Sequence, residues 1–236
     1  MLDLLIINGL VVTQNQKREI KQVNIGIKDG IITYLGNEII PSNQLINAEE
    51  YILLPAFLNA HIHFGEYFLR GYKENLSTEE YILLGEKFHD KFKEINDEIR
   101  NSSINNVVLE SIQNGTLTVF GVRGWPNVFK FPVNAFLGYP MMNSKKLKDY
   151  KIDFEEKFNS LQKIGNVEYF VGLHSVKWID EGTLIEISNF LNRNKETKLS
   201  LHICETIEEV DYIKKKYGMT PIELLNNINY SMKILY

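Results

Sequence analysis

LPAFLNAHIHF, residues 54–64, carries the strongest structural signal in the chain. Side chains of a β-strand alternate between its two faces, so His61 and His63 point to one side while Ile62 and Phe64 point to the other. Two imidazoles on one face are placed to chelate a metal ion. The stretch therefore predicts a strand whose apolar face enters a core and whose polar end offers two metal ligands.

A second short strand with the same character is predicted at residues 198–206, KLSLHICET. His202 lies on the polar face of this strand, near its carboxyl end, and Glu205 follows just beyond. Cys204 shares the face of His202 and is predicted to be a small core residue of the fold, not a ligand. The pattern places a third histidine, with an acid beside it, at a second strand end.

From residue 52 onward, predicted strands alternate with predicted helices, which indicates parallel β/α units. Active residues at the carboxyl ends of such strands are typical of a (β/α)₈ barrel. The pattern yields about five β/α units and the start of a sixth, whereas a complete barrel has eight and typically ~250 residues. The predicted strands are residues 58–63, 116–120, 134–138, 169–173, 199–203 and 232–235. The predicted helices are residues 77–93, 97–113, 154–164, 181–194, 207–217 and 221–227.

Residues 1–51 differ from the remainder in showing short strands without helices. Asn8-Gly9 and Asp29-Gly30 are dipeptides that close tight hairpins, because glycine adopts positive φ at low cost. We therefore expect two domains. Residues 1–51 form a small β domain, part of a composite β-sandwich, and residues 52–236 form the N-terminal portion of a TIM-type barrel. The expected fold class is α/β, an incomplete (β/α)₈ barrel preceded by a small β-sandwich domain.

Further segments follow one another in a recognisable order along the chain. Together they resemble the amidohydrolase superfamily, in its branch of metal-dependent aminohydrolases and chlorohydrolases, similar to S-adenosylhomocysteine-type and guanine deaminases. The likeness covers the N-terminal part of such a protein. The segments are residues 3–12 and 25–32, Leu54-Pro55-Ala56-Phe57 before the histidine pair, Leu69-Arg70-Gly71 after it, Gly115-Thr116-Leu117-Thr118-Val119, Gly172-Leu173-His174-Ser175, and His202-Ile203-Cys204-Glu205-Thr206 with Glu209.

The resemblance implies a hydrolase in which metal-activated water attacks a C–N bond of a small nitrogenous compound, by deamination or by amide or ring hydrolysis. It implies a divalent metal ion, zinc first and iron or manganese as alternatives, because nitrogen ligands suit several metals. The implied metal ligands are His61, His63 and His202. The implied catalytic residues are Glu205, which shuttles protons, and His174, which also contacts the substrate.

Two further residues are candidates for binding the substrate. Glu66, three residues after His63, offers a carboxylate to an amine or ring N–H of the substrate, or pairs with Arg70. Arg70 offers its guanidinium group to an anionic part of the substrate. Each candidate has a simpler explanation. Glu66 and Arg70 also fit solvated surface positions, Glu205 also fits a helix-start glutamate, and His174 also fits a partly buried polar residue.

The composition of the chain limits the classes of partner that we expect it to bind. The net charge is −4 and no basic stripe occurs, which argues against nucleic acid. No segment approaches the ~20 apolar residues that span a bilayer, and no signal peptide is recognised. The lone Cys204 excludes an internal disulfide and suits a reducing compartment, so cytoplasm is expected.

Three interpretations of the whole chain remain open. In the first it is an enzyme fragment, completed by a second chain or by a longer product. In the second it is a catalytically inactive, truncated homologue or an interaction subunit, since the family's sixth-strand histidine and eighth-strand aspartate do not occur before Tyr236; an open sheet edge would then favour a homo-oligomer. In the third, which the opening strands disfavour, it is a smaller complete α/β protein.

Overall fold

The chain forms two compact units, Met1–Phe57 and Leu58–Tyr236, in a computed structural model. The structure describes residues 1–64, 67, 70–72, 74–78, 80–81, 83–85, 97–121, 133–141, 158–161, 166–179 and 181–227.

The first unit consists of two small sheets. One has four strands in the order β5-β4-β1-β6 and the other has three in the order β3-β2-β7. The fully buried Leu5 of β1 belongs to its core. The strands are β1 (Leu2–Ile7), β2 (Leu10–Val12), β3 (Ile20–Gln22), β4 (Asn24–Lys28), β5 (Ile31–Gly36), β6 (Ser42–Asn47) and β7 (Ile52–Leu53).

The two predicted hairpin turns have different outcomes. Asp29 and Gly30, with φ of 51° and 74°, join β4 to its antiparallel neighbour β5, as predicted. Asn8-Gly9 closes no hairpin, because the strands on its two sides, β1 and β2, belong to different sheets. A side chain at position 9 would crowd Leu53, since a Cβ there would lie 2.5 Å from Cδ1 of Leu53 unless that side chain moved.

The second unit is built on a five-stranded sheet in the order β12-β11-β10-β9-β8. The pairs β9–β10, β10–β11 and β11–β12 are parallel. This half-barrel, together with the small β unit, confirms the expected fold class of an incomplete TIM-type barrel. The predicted sixth strand, residues 232–235, lies outside the described residues. The strands are β8 (Phe57–Ile62), β9 (Thr116–Gly121), β10 (Asn134–Met141), β11 (Val167–Ser175) and β12 (Leu199–His202).

Four α-helices are described over their full length: α1 (Asp97–Gln113), α2 (Glu181–Arg193), α3 (Ile207–Tyr217) and α4 (Pro221–Asn227). Each lies at its predicted position. Gly218, with φ of 71°, ends α3 in the left-handed conformation that favours glycine. The predicted helices 77–93 and 154–164 are described only in part. Within the described ranges, no helix combines the length and the apolar character needed to cross a membrane.

Two apolar clusters lie between the sheet and the helices. The buried side chains of α2 recur at helical spacing, which gives the helix one apolar face for packing. The first cluster joins β11 to α2, α3 and α4 through Val171, Leu173, Leu184, Ile187, Phe190, Leu191, Ile213, Leu224 and Leu225. The second joins the end of β8 to α1, β9, β10 and β11 through Phe64, Ile104, Val107, Val108, Val119, Ala135, Leu137 and Val167.

Candidate metal centre

Three histidines from two distant segments converge at the ends of β8 and β12. The Nε2 atoms of His61 and His63 are 3.0 Å apart, and the Nε2 atom of His202 lies 3.2 Å from each of them. His63 and His202 are partly buried, and His61 is exposed. The structure therefore brings together all three residues that the sequence predicts as metal ligands.

The triangle of nitrogen atoms has the dimensions of a metal site. Two imidazole nitrogens at ~2.05 Å from a tetrahedral zinc ion are separated by about 3.3 Å, close to the observed separations. Each Nε2 carries a lone pair when it is not protonated, and three such lone pairs facing one another need a cation or protons between them. A divalent metal ion satisfies all three nitrogens at once, so the donor set fits that group.

The pair on β8 is held by the apolar side of the same strand. Phe64 is 2% exposed and belongs to the second apolar cluster, against which Ile62 also packs. A Cβ on Gly121 would overlap the ring of Phe64, so the end of β9 must be glycine for this ring to fit. Asn59 adds a local hydrogen bond, since its Oδ1 accepts from the backbone N–H of His61 at 3.1 Å.

His202 is oriented by the neighbouring strand. Parallel pairing sets His202 opposite Ser175, after a register shift that follows Leu173. Its Nδ1–H donates to the backbone carbonyl of His174 at 2.9 Å. Because Nδ1 carries the proton in that bond, the lone pair of the neutral ring lies on Nε2, which faces the other two histidines. Such a partner on the far ring nitrogen is the usual support of a metal-ligating histidine.

His174 thus contributes its backbone to the site. Its own ring is partly buried, and the centroid of that ring lies 5.5 Å from the centroid of the His202 ring. The side chain therefore lies beside the centre, and its role toward a substrate stays a prediction. The backbone role of His174 was not predicted, because it depends on strand register.

The loop after β12 leaves the strand abruptly. Cys204 has φ of 56°, the left-handed region, and its side chain is exposed, so the prediction that Cys204 is a core residue is wrong. The reason is that β12 ends at His202, and the face alternation of the strand does not extend to residue 204. Desolvation, followed by the negative charge of Glu209, raises the pKa of the Cys204 thiol.

Glu205 is exposed and acts on the histidine cluster through its charge. Desolvation and then the nearby His202 lower the pKa of His61, while the negative charge of Glu205 opposes them. The backbone N–H of Glu205 donates to Oε2 of Glu209 at 2.9 Å. Sequence reasoning assigned no role to Glu209, which is 4% exposed. The available signal was its spacing from Thr206, which is that of a helix cap.

The structure says less about the other two predicted substrate-binding residues, Glu66 and Arg70. Glu66 lies outside the described residues. Arg70 donates to Oε1 of Glu110 at 2.7 Å, with its side chain 65% exposed, and its guanidinium carbon lies 5.1 Å from the centre of the Tyr67 ring. These contacts place Arg70 at the surface, and its role toward a substrate stays a prediction.

Similar proteins agree with this architecture, although no family model matches the chain. The chain is 25% identical over 254 aligned residues to a 5-methylthioadenosine/S-adenosylhomocysteine deaminase from Pyrococcus furiosus. The alignment covers 95% of this chain and 55% of that protein. A deaminase of the same name from Clostridium tetani is 27% identical over 253 residues, covering 96% of this chain and 55% of that protein. The chain thus spans about half the length of the curated relatives it matches.

Solved structures share the fold. An adenosine deaminase from Xanthomonas campestris with bound zinc superposes with a TM-score of 0.79 and 17% identity, over 97% of this chain and 55% of that one. A guanine deaminase from C. acetobutylicum with bound guanine superposes with a TM-score of 0.79 and 16% identity, over 97% of this chain and 59% of that one. An atrazine chlorohydrolase from Arthrobacter aurescens in complex with zinc superposes with a TM-score of 0.77 and 16% identity, over 96% of this chain and 58% of that one.

The motifs, the half-barrel and these matches point to one class of protein. The chain resembles the amidohydrolase superfamily, and it is similar over most of its own length to about half of each deaminase relative, as expected of an N-terminal part.

Proposed function

We propose that this chain is the N-terminal part of a metal-dependent hydrolase, in which His61, His63 and His202 hold a divalent metal ion. The observation that carries the proposal is the convergence of their three Nε2 atoms to separations of 3.0–3.2 Å. Zinc is the first choice, with iron and manganese as alternatives. When bound, such an ion supplies an activated water molecule at neutral pH.

We assign the remaining steps of the proposed reaction to residues around the histidine triangle. Glu205, whose charge acts on His61, moves a proton between the attacking water and the departing nitrogen. His174, whose ring lies beside that of His202, contacts the group under attack. Glu66 and Arg70 remain our candidates for binding the outer parts of the substrate.

The substrate class follows from the relatives. Their names specify deaminases of 5-methylthioadenosine and S-adenosylhomocysteine, so we propose the amino group of an adenine-type ring as the target. Because the chain spans about half of those proteins, the whole activity also needs the region they have beyond it. A second chain or a longer product is proposed to supply that region, and a homo-oligomer of this chain is the alternative assembly. The boundary between residues 1–51 and 52–236, the composite β-sandwich and a cytoplasmic location belong to the same proposal.

The metal is tested on the whole chain by measuring bound zinc, manganese and iron after purification and after reloading with Zn²⁺ or Co²⁺. We expect one equivalent per chain, and a loss of affinity of more than about 10³-fold when His61 and His63 are both changed to alanine, since two of three nitrogen ligands are removed. His89→Ala is the matched control, because His89, the fifth histidine of the chain, lies in the predicted helix 77–93 and belongs to none of the motifs. A folded wild-type chain that takes up no metal would refute the site.

Hydrolysis is tested separately by following ammonia release from S-adenosylhomocysteine and 5-methylthioadenosine, with the metal-loaded chain. Release that depends on His202 supports deamination. Metal uptake without release from these compounds would show that this chain alone does not deaminate them, and would leave the metal site intact.

A further inference from the structure

Three described helix starts have the Ser/Thr-x-x-Glu spacing of a capping box, and two of them behave alike. Oε2 of Glu80 accepts from the backbone N–H of Ser77 at 2.9 Å, and Oε2 of Glu223 accepts from that of Thr220 at 2.7 Å. Each cap hydroxyl accepts in return from the backbone N–H of its glutamate, at 3.3 Å in both cases. Both glutamates are exposed. These are reciprocal capping boxes, in which the cap residue and the glutamate satisfy each other's backbone N–H at a helix end.

The third segment, Thr206 to Glu209, has only half of that arrangement. The hydroxyl of Thr206 accepts from the backbone N–H of Glu209 at 3.1 Å, as in a capping box. The carboxyl group of Glu209 does not return to Thr206. Its Oε2 accepts from the backbone N–H of Glu205 at 2.9 Å, and its Oε1 accepts from the hydroxyl of Ser175 at 2.5 Å.

Glu209 therefore ties together two strand ends at the candidate metal centre. Ser175 is the last residue of β11 and pairs with His202, the last residue of β12. Glu205 lies in the loop beyond β12, after the left-handed turn at Cys204. One buried carboxyl group thus bridges the loop that carries the proposed proton-shuttling residue to the strand that orients His202.

Burial gives this bridge its rigidity. A carboxyl group that is 4% exposed has exchanged its water for these two donors, so losing either donor leaves a buried oxygen unsatisfied. The hydroxyl of Ser175 also accepts from the backbone N–H of Lys177 at 3.1 Å, so the network continues into the turn after β11. A helix cap alone requires no such burial, as Glu80 and Glu223 show.

We propose that Glu209 is a positioning residue for Glu205: it holds the loop of residues 203–206 against the end of β11 so that the Glu205 carboxyl group stays beside the histidine triangle. This inference rests on the proposed function for the role of Glu205. The bridge itself is independent of any reaction.

The bridge is tested by hydrogen exchange of the peptide covering residues 203–206 in the whole chain. Glu209→Ala should speed this exchange by about 10-fold or more, because a hydrogen bond to a carboxylate acceptor is removed. Glu209→Gln should stay close to wild type, since its amide oxygen still accepts from Glu205 and its amide nitrogen donates to Ser175. Ser175→Ala breaks the bridge from the other side and should have an intermediate effect, which keeps the test decisive if Glu209→Ala folds poorly.

Glu223→Ala is the matched control, because it removes a carboxyl group from a capping box of the same spacing. It should speed exchange at residues 220–224 and leave residues 203–206 unchanged. Unchanged exchange at residues 203–206 in Glu209→Ala, or the same acceleration there in Glu223→Ala, would overturn the inference.

Turnover separates positioning from direct chemistry. With S-adenosylhomocysteine as the probe, Glu209→Ala should lower kcat by about 10²-fold, the usual loss for a displaced acid–base group, with KM and metal content within about threefold of wild type. Glu209→Gln should restore most of kcat. If Glu209→Gln loses kcat as fully as Glu209→Ala while its exchange stays at the wild-type rate, Glu209 acts directly and the inference is wrong. If the wild-type chain releases no ammonia by itself, as a chain that spans about half of its relatives can do, the exchange result alone decides whether Glu209 holds the loop.

Discussion

The ends of β8 and β12 both present histidines to the same centre, but different forces hold them. The end of β8 is anchored by apolar packing, with the ring of Phe64 against Gly121. The end of β12 is anchored by hydrogen bonds, from His202 to the carbonyl of His174 and from the following loop to Glu209. The difference teaches that the first anchor is sensitive to volume and the second to the loss of a donor or acceptor.

The largest expected effect is on the apolar anchor. Phe64→Ala should lower the free energy of unfolding by about 3–5 kcal/mol, because it leaves a cavity in the second cluster, and should weaken metal binding by displacing His63. Phe57→Ala is the control at the start of the same strand, where the side chain is 57% exposed; a change within about 0.5 kcal/mol is expected. Urea unfolding measures both, and equal effects would contradict the proposed anchor.

A smaller loss is expected when the partner of Phe64 grows. Gly121→Ala places a methyl group where the ring lies, and overpacking of this kind costs about 1–3 kcal/mol. Phe64→Leu in the same background should recover part of that loss. A double-mutant cycle should therefore show a coupling of at least about 0.5 kcal/mol. Additive effects would show that the ring and the glycine do not constrain each other.

The helix cap at Thr206, beside the hydrogen-bonded end of β12, can be compared with the helix cap at Thr220, which has no candidate site beside it. Thr206→Ala and Thr220→Ala should each cost about 1 kcal/mol, since each removes the side-chain acceptor at a helix N-terminus. Thermal unfolding measures that cost. Only Thr206→Ala should also weaken Co²⁺ binding, because its loop adjoins His202. A loss of Co²⁺ affinity in Thr220→Ala would show that the effect is global.

The smallest effect is expected at Cys204, where the chain turns with φ of 56°. Cys204→Gly should raise the free energy of unfolding by about 0.5–1 kcal/mol, since glycine adopts this conformation without the Cβ penalty, less its greater freedom when unfolded. Cys204→Ala retains a Cβ and should bring no gain. Denaturant titration distinguishes the two, and a gain in the alanine variant would point to the thiol as the source of strain.

Much of this architecture was predictable from local patterns. The helices α1 and α3 have the predicted bounds, and the strands of the half-barrel lie where apolar runs alternate with helices. The hairpin at Asp29-Gly30 was predictable from its turn chemistry. Asn8-Gly9 was not, since the same kind of turn also connects strands that enter two different sheets.

The same distinction between local pattern and tertiary contact applies to the candidate metal centre. The sequence by itself determined that His61 and His63 lie side by side, because residues two apart on one strand share a face, and that their strand buries Phe64 on the other face. Only the tertiary structure decided that His202, 139 residues away from His63, completes the triangle and donates to His174, and that Glu209 reaches Ser175 instead of its own cap. These contacts join segments that are far apart in the sequence, and they depend on strand register and on helix placement, which no local spacing encodes.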